Sequence, residues 1–145
     1  MTVNIKKLND NAKLPAKGTK YSAGFDLYAC LESEVNIYPG STLKIGTGIA
    51  VCIPDGYFGA IFARSGLASK QGLRPANCVG VIDSDYRGEL IIPLYNDSSE
   101  IRQLLPFERI AQLVILPYLD VEFTEVSELE STGRGLSGFG STGLI

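Results

Sequence analysis

The chain has 145 residues, enough for one domain with one core, with 45% hydrophobic and 20% charged residues and a net charge of −3. That balance carries no electrostatic footprint for nucleic acid or an anionic membrane, and no apolar run approaches the ~20 residues of a spanning helix. Histidine is absent, which excludes Ser-His-Asp and Cys-His mechanisms and the usual zinc sites, and leaves general-base work to a carboxylate, lysine or tyrosine.

In chain order, the N-terminal MTVNIKKLNDNAK has no apolar core of a secretory signal, so a cytoplasmic protein is expected. The first island of interest is AGFDLYA, Ala23 to Ala29. There Asp26 interrupts an apolar run, and a carboxylate so placed needs an arginine or a hydrated cation beside it. The runs EVNIYPG, STLKIGTGIAVCIPDG and YFGAIFA follow, rich in Val, Ile, Tyr and Phe and cut by Pro39-Gly40 and Pro54-Asp55-Gly56. They read as short strands. ARSGLA, Ala63 to Ala68, then joins a strand to SGLASKQGL, which holds one or two helical turns. Taken alone, Arg64-Ser65-Gly66 is a turn with a surface arginine, although its free N–H groups, hydroxyl and guanidinium also suit phosphate oxygens.

NCVGVIDSDYRGEL, Asn77 to Leu90, reads as a hairpin connection between VGVI and ELIIPLY, with Gly88 supplying a positive φ. Without histidine, its Asp83, beside Asp85 and Tyr86, is the best base available to a hydrolytic chain. GELIIPLYND, RIAQLVILPYL and VEFTEV complete the strands, Gln112 breaking the fourth island, RIAQLVI, as a solvent-facing residue would. Cys30, Cys52 and Cys78 lie far apart in apolar surroundings and read as buried free thiols. The fold expected is all-β, a sandwich or barrel, with a core over residues 1–130 and a flexible arm over 131–145. That arm ends in RGLSGFGSTGLI. Its composition suits disorder, yet it carries Arg134, three hydroxyls and an aromatic ring, Phe139; it lacks the Gly-Lys-Ser/Thr ending of a P-loop.

Together and in this order, the five islands resemble the signature motifs of the homotrimeric dUTPases, over the span from about Ala23 to Gly143. The resemblance implies a jelly-roll-like β fold and a threefold trimer with three active sites, each shared by all three chains. It implies hydrolysis of dUTP to dUMP and pyrophosphate with Mg²⁺, limiting uracil in DNA and supplying dUMP for thymidylate. Asp83 then matches the general base. Asn77, Gly80 and Val81 match the uracil pocket, and Tyr86 the ring that leaves no room for a 2′-hydroxyl. Arg64, Ser65, Gly66 and Gln112 match phosphate contacts, and Asp26 a carboxylate that holds Mg²⁺ through water. Arg134, Gly140, Ser141 and Thr142 match the grip of a lid on the γ end of the triphosphate, with Phe139 stacking on the uracil.

Two departures are visible. Ala63 stands where the family usually has proline, and Phe107-Glu108 where it usually has Gly-Asp. A dCTP deaminase relative fits GFGSTG and IDSDYRG less well. A dUTP-sensing interaction protein is a reading from another class, against which an intact base and lid weigh. No nucleic acid or membrane partner is expected.

Overall fold

The computed structural model describes residues 1–137, among which eleven strands and one short helix alternate as β1 (Asn4–Lys7), β2 (Phe25–Tyr28), β3 (Val35–Ile37), β4 (Thr42–Gly46), β5 (Ile49–Cys52), β6 (Tyr57–Phe62), α1 (Ser65–Gln71), β7 (Leu73–Pro75), β8 (Gly80–Ile82), β9 (Ile91–Asn96), β10 (Arg102–Leu104) and β11 (Arg109–Pro117). All pairings are antiparallel, in sheets of order β2-β11-β6-β8 and β4-β9-β7 and two ribbons, β1-β5 and β10-β3. The all-β expectation holds.

The alternation in the sequence decides which face is buried. In β9, IIPLYN, the side chains of Ile92, Leu94 and Asn96 are fully buried while Ile91, Pro93 and Tyr95 point outward. With Leu27, Ile45, Ile49, Leu73, Leu104 and Ile110 they form one continuous core. Its buried amide, Asn96, is fully occupied: Nδ2 donates to the carbonyls of Ile37 and Glu100, both at 2.8 Å, and Oδ1 accepts from the Ser98 amide and hydroxyl at 3.0 and 2.7 Å.

Several expectations change. VEFTEV is not a strand; among the described residues, nothing after Pro117 pairs in a sheet. IDSDYRG is no hairpin, because β8 pairs with β6 while β9 pairs with β4 and β7, so the loop crosses between sheets. Gly88 has no positive φ; it is glycine because the Tyr86 ring occupies the space a side chain would need. The long run STLKIGTGIAVCI splits at Thr47-Gly48 into β4 and β5, which join different sheets. β1 was not anticipated, since its four residues are all exposed and carry no alternation. The thiols are free, but Cys78 is exposed and Cys30 and Cys52 are only half-buried.

The helix α1 runs for two turns and stops at Gly72, whose φ of 68° is the left-handed C-cap that returns its N–H to the carbonyls of Ala68 and Leu67. Phe107, at φ 65°, occupies the same left-handed region without being glycine. Its ring lies under the Lys13 ammonium, 4.8 Å from centroid to nitrogen, and its N–H donates to Ala29 O at 2.9 Å. The next side chain, Glu108, accepts the Leu105 N–H at 3.1 Å. The Phe107-Glu108 departure therefore keeps a tight turn ahead of β11. Among the described residues no helix is long and apolar enough to cross a membrane.

Candidate active site

Three neighbouring strands bring the first group of residues together. Gln112 on β11 stands opposite Asp26 on β2 and, on its other side, opposite Phe62 on β6. Two residues beyond Phe62, Arg64 turns its guanidinium back and donates from Nε to Asp26 Oδ1 at 2.7 Å. Arg109 Nη1 meets Oδ2 of the same carboxylate at 3.3 Å. A β-bulge makes the second contact. The register slips between Arg109 and Ala111, so Arg109 opposes Tyr28, which shares a face of β2 with Asp26. Without the slip it would oppose Ala29 and point to the other face.

Of the two partners named for Asp26, the arginine is therefore the one present, and there are two. The carboxylate, 14% exposed, is neutralised and the cluster keeps an excess positive charge. Gln112 holds the strand end in shape: its Nε2 donates to Ala63 O at 2.9 Å, and Gly24 leaves the room its amide occupies. Ser65 and Gly66 are exposed at the first turn of α1, and a side chain at Gly66 would meet nothing within 4 Å. Arginines, a hydroxyl and open backbone at one sheet end suit an anion.

The residues of the fit to a metal are few. Among the described residues no three acidic, cysteine or histidine side chains gather. Asp26 spends one acceptor site per oxygen on the arginines and keeps its remaining lone pairs. That suits a water-bridged Mg²⁺ whose other ligands are phosphate oxygens, and does not suit a cation caged by the chain alone.

The second group lies along β8. Gly80 pairs with Ile61 and Ile82 with Gly59, with Asn77 Nδ2 over the bare Gly80 Cα. Beyond Ile82, Asp83 is exposed at an open pocket of about 630 Å³ lined by Phe58, Val81, Asp83, Ser84, Asp85 and Tyr118. Tyr86 is half-exposed and donates its hydroxyl to Glu89 O at 3.0 Å. Asp83 and Arg64 thus sit toward opposite ends of β6. The six steps from Phe58 to Arg64 span roughly 20 Å of extended chain. One chain does not bring Asp83 to Arg64.

Arg134 donates to Ser137 O at 3.0 Å, within an exposed turn whose Gly135 N–H bonds Thr132 O. Phe139, Gly140, Ser141 and Thr142 lie outside the described residues. Arg109 was not singled out from the sequence as a site residue; its signal was its place at the head of RIAQLVI, but only the bulge turns it toward Asp26.

An antiparallel β fold with an arginine-rich sheet end and a separate carboxylate-bearing loop defines a β protein equipped for an anionic ligand. A family model described as dUTPase matches residues 10–143. The deoxyuridine 5′-triphosphate nucleotidohydrolase of Desulfitobacterium hafniense is 52% identical over 133 residues, covering 91% of this chain and 88% of its own. That of Nautilia profundicola is 50% identical and 99% covered on both sides. Among solved structures, the dUTPase of Staphylococcus bacteriophage 80alpha with dUPNHPP superposes with a TM-score of 0.84 at 34% identity, covering 99% of each chain. A variant dUTPase of phage phi11 of S. aureus, described with a structural Mg(II) ion, gives 0.78 at 30% identity, over 90% of this chain and 100% of its own. The chain belongs to the dUTPase family.

Proposed function

We propose that the protein is a dUTP diphosphatase that works in the cytoplasm as a homotrimer, cleaving dUTP to dUMP and pyrophosphate. The observation that carries the shared site is the separation of Asp83 from Arg64 along β6, because catalysis needs a base and phosphate ligands at one substrate. A site assembled from the Asp83 loop of one copy and the Arg64 end of another removes the conflict, and the arm, residues 131–145, of a third would cover it.

Within that site each residue has a role its chemistry suits. Asp83, exposed and without an ion-pair partner among the described residues, takes a proton from water as its oxygen attacks the α-phosphorus in line. The bond to the β,γ-phosphates breaks and pyrophosphate leaves. Arg64 and the Ser65-Gly66 turn bind phosphate oxygens, with Gln112 holding the Ala63 carbonyl so that the turn is preset. Asn77 with the backbone of Gly80 and Val81 reads the uracil edge, leaving unpaired polar groups for cytosine at roughly 1–3 kcal/mol each. Tyr86 packs on the deoxyribose. Arg134, Gly140, Ser141 and Thr142 grip the far phosphates while Phe139 stacks on the base. Asp26 would hold a Mg²⁺ through water, and the ion would supply charge neutralisation to the triphosphate.

Pyrophosphate release measured against dUTP, dTTP, dCTP and UTP tests the reading. Release from dUTP far above the other three is expected; equal rates on all four would overturn it.

A further inference from the structure

The loop from Asp83 to Gly88 carries both the proposed base and the proposed sugar-facing ring, yet its hydrogen bonds are local. Tyr86 N–H meets Asp83 O at 3.2 Å, and Arg87 Nη1 donates to Ser84 O and Tyr86 O at 2.5 and 3.0 Å. The loop is tied to the rest of the fold where it ends. There the Glu89 carboxylate accepts the Gly48 N–H at 2.7 Å through Oε1. Leu90 follows at once, its N–H on Ile49 O and its carbonyl accepting the Thr47 amide and hydroxyl.

The Thr47-Gly48 turn is shaped to receive that carboxylate. Gly48, buried and at φ 68°, gives its N–H to Glu89 Oε1, and a Cβ at Gly46 would stand 2.5 Å from the same oxygen. No lysine or arginine among the described residues pairs with Glu89. A half-buried carboxylate without a counter-ion, set on one backbone N–H, provides a short charge-assisted bond rather than a salt bridge. The same residue's carbonyl receives the Tyr86 hydroxyl at 3.0 Å, and the Tyr86 ring fills the space over Gly88.

We infer that Glu89 is a positioning residue: its carboxylate fixes the loop end to Gly48, its carbonyl holds Tyr86, and through Tyr86 it sets selectivity for deoxyribose over ribose. The inference rests on the proposed placing of Tyr86 beside the sugar. A ring free to tilt would admit a 2′-hydroxyl, so the loss falls on discrimination more than on turnover.

The test compares kcat/KM for dUTP and UTP in the wild type, Glu89→Ala, Glu89→Gln and Tyr86→Phe, together with the Gly48 amide resonance and its hydrogen exchange in ligand-free protein. Glu89→Ala is expected to lower the dUTP-to-UTP ratio by about tenfold, with kcat on dUTP falling less than the ratio. Glu89→Gln, whose amide oxygen still accepts, should stay within about twofold of wild type. Tyr86→Phe breaks the tether from its other side, and combined with Glu89→Ala should add little. A folded Glu89→Ala protein with the wild-type ratio, or Glu89→Gln falling as far as Glu89→Ala, would overturn the inference. Should Glu89→Ala fail to fold, Gly46→Ala, which crowds Oε1 off the Gly48 N–H, should lower the ratio in its place; an unchanged ratio there would also overturn it. A wild type inert toward dUTP sinks the proposed function alone. A Gly48 amide unmoved in Glu89→Ala sinks the tether, whatever is hydrolysed.

Discussion

At the scale of single residues, charge placement and backbone sterics dominate. Asp83→Asn keeps the size of the side chain and removes its basicity, so dUTP binding should persist while kcat falls at least ~10²-fold, as pre-steady-state turnover would show. Gly48 is held by two separate demands. Its φ of 68° costs any other residue roughly 1–2 kcal/mol, and a Cβ there would sit 2.8 Å from Ala12 Cβ and Cys30 Sγ, adding about 1–3 kcal/mol of overpacking. Gly48→Ala is therefore expected to lose about 2–5 kcal/mol in urea unfolding. Cys30, beside it, has its thiol pushed above its ordinary range by burial and then by the nearby Glu89 charge. The folded protein thus holds that proton at a pH where the unfolded chain has released it. The contribution is complete below the unfolded pKa and fades as pH rises through the higher folded value. In alkylation timed by mass spectrometry, exposed Cys78 should react ahead of Cys30.

At the scale of elements, short strands need caps and corners to stay paired. The corner between β9 and β10 depends on Asn96, which satisfies two carbonyls and two donors in one turn while fully buried. Asn96→Ala leaves those groups unpaired at about 1–3 kcal/mol apiece, offset in part by water reaching the exposed Ser98-Glu100 side. A net loss of about 2–4 kcal/mol, with the midpoint of urea unfolding lowered and its slope unchanged, is expected. The β11 bulge works at the same scale, since one slipped residue turns Arg109 onto the Asp26 face.

Across the whole molecule, the chain leaves apolar side chains outside. After Pro117, Leu119, Val121, Phe123, Val126 and Leu129 are all exposed, Phe123 at 97%. Such a run is covered in an assembly more readily than left in water, and a trimer of about three times 15.6 kDa is the expected species in light scattering. Truncation after Ser131 removes Arg134 and the four candidate site residues Phe139, Gly140, Ser141 and Thr142, and takes no strand from the described residues. The truncated protein should melt within a few degrees of the full chain and remain a trimer, while pyrophosphate release from dUTP collapses. Full turnover without the arm would make RGLSGFGSTGLI a plain tail.

Strand content, the carboxylate in need of a partner at Asp26 and the motif residues were legible in the sequence, because β-branched runs, turn residues and a charge inside an apolar stretch are local signals. Pairing was not local. VEFTEV has a strand's composition, but a strand exists only where an edge receives it, and no described edge of this chain does. IDSDYRG has a hairpin's composition, yet β8 and β9 pair with strands far away in sequence. The sequence by itself therefore determined the all-β class and the family to which its motifs belong. Only the tertiary structure decided that Arg64 and Arg109 share Asp26, that Glu89 meets Gly48, and that Asp83 stands a strand's length from the arginines, because each depends on register between segments whose separation along the chain leaves no periodic trace.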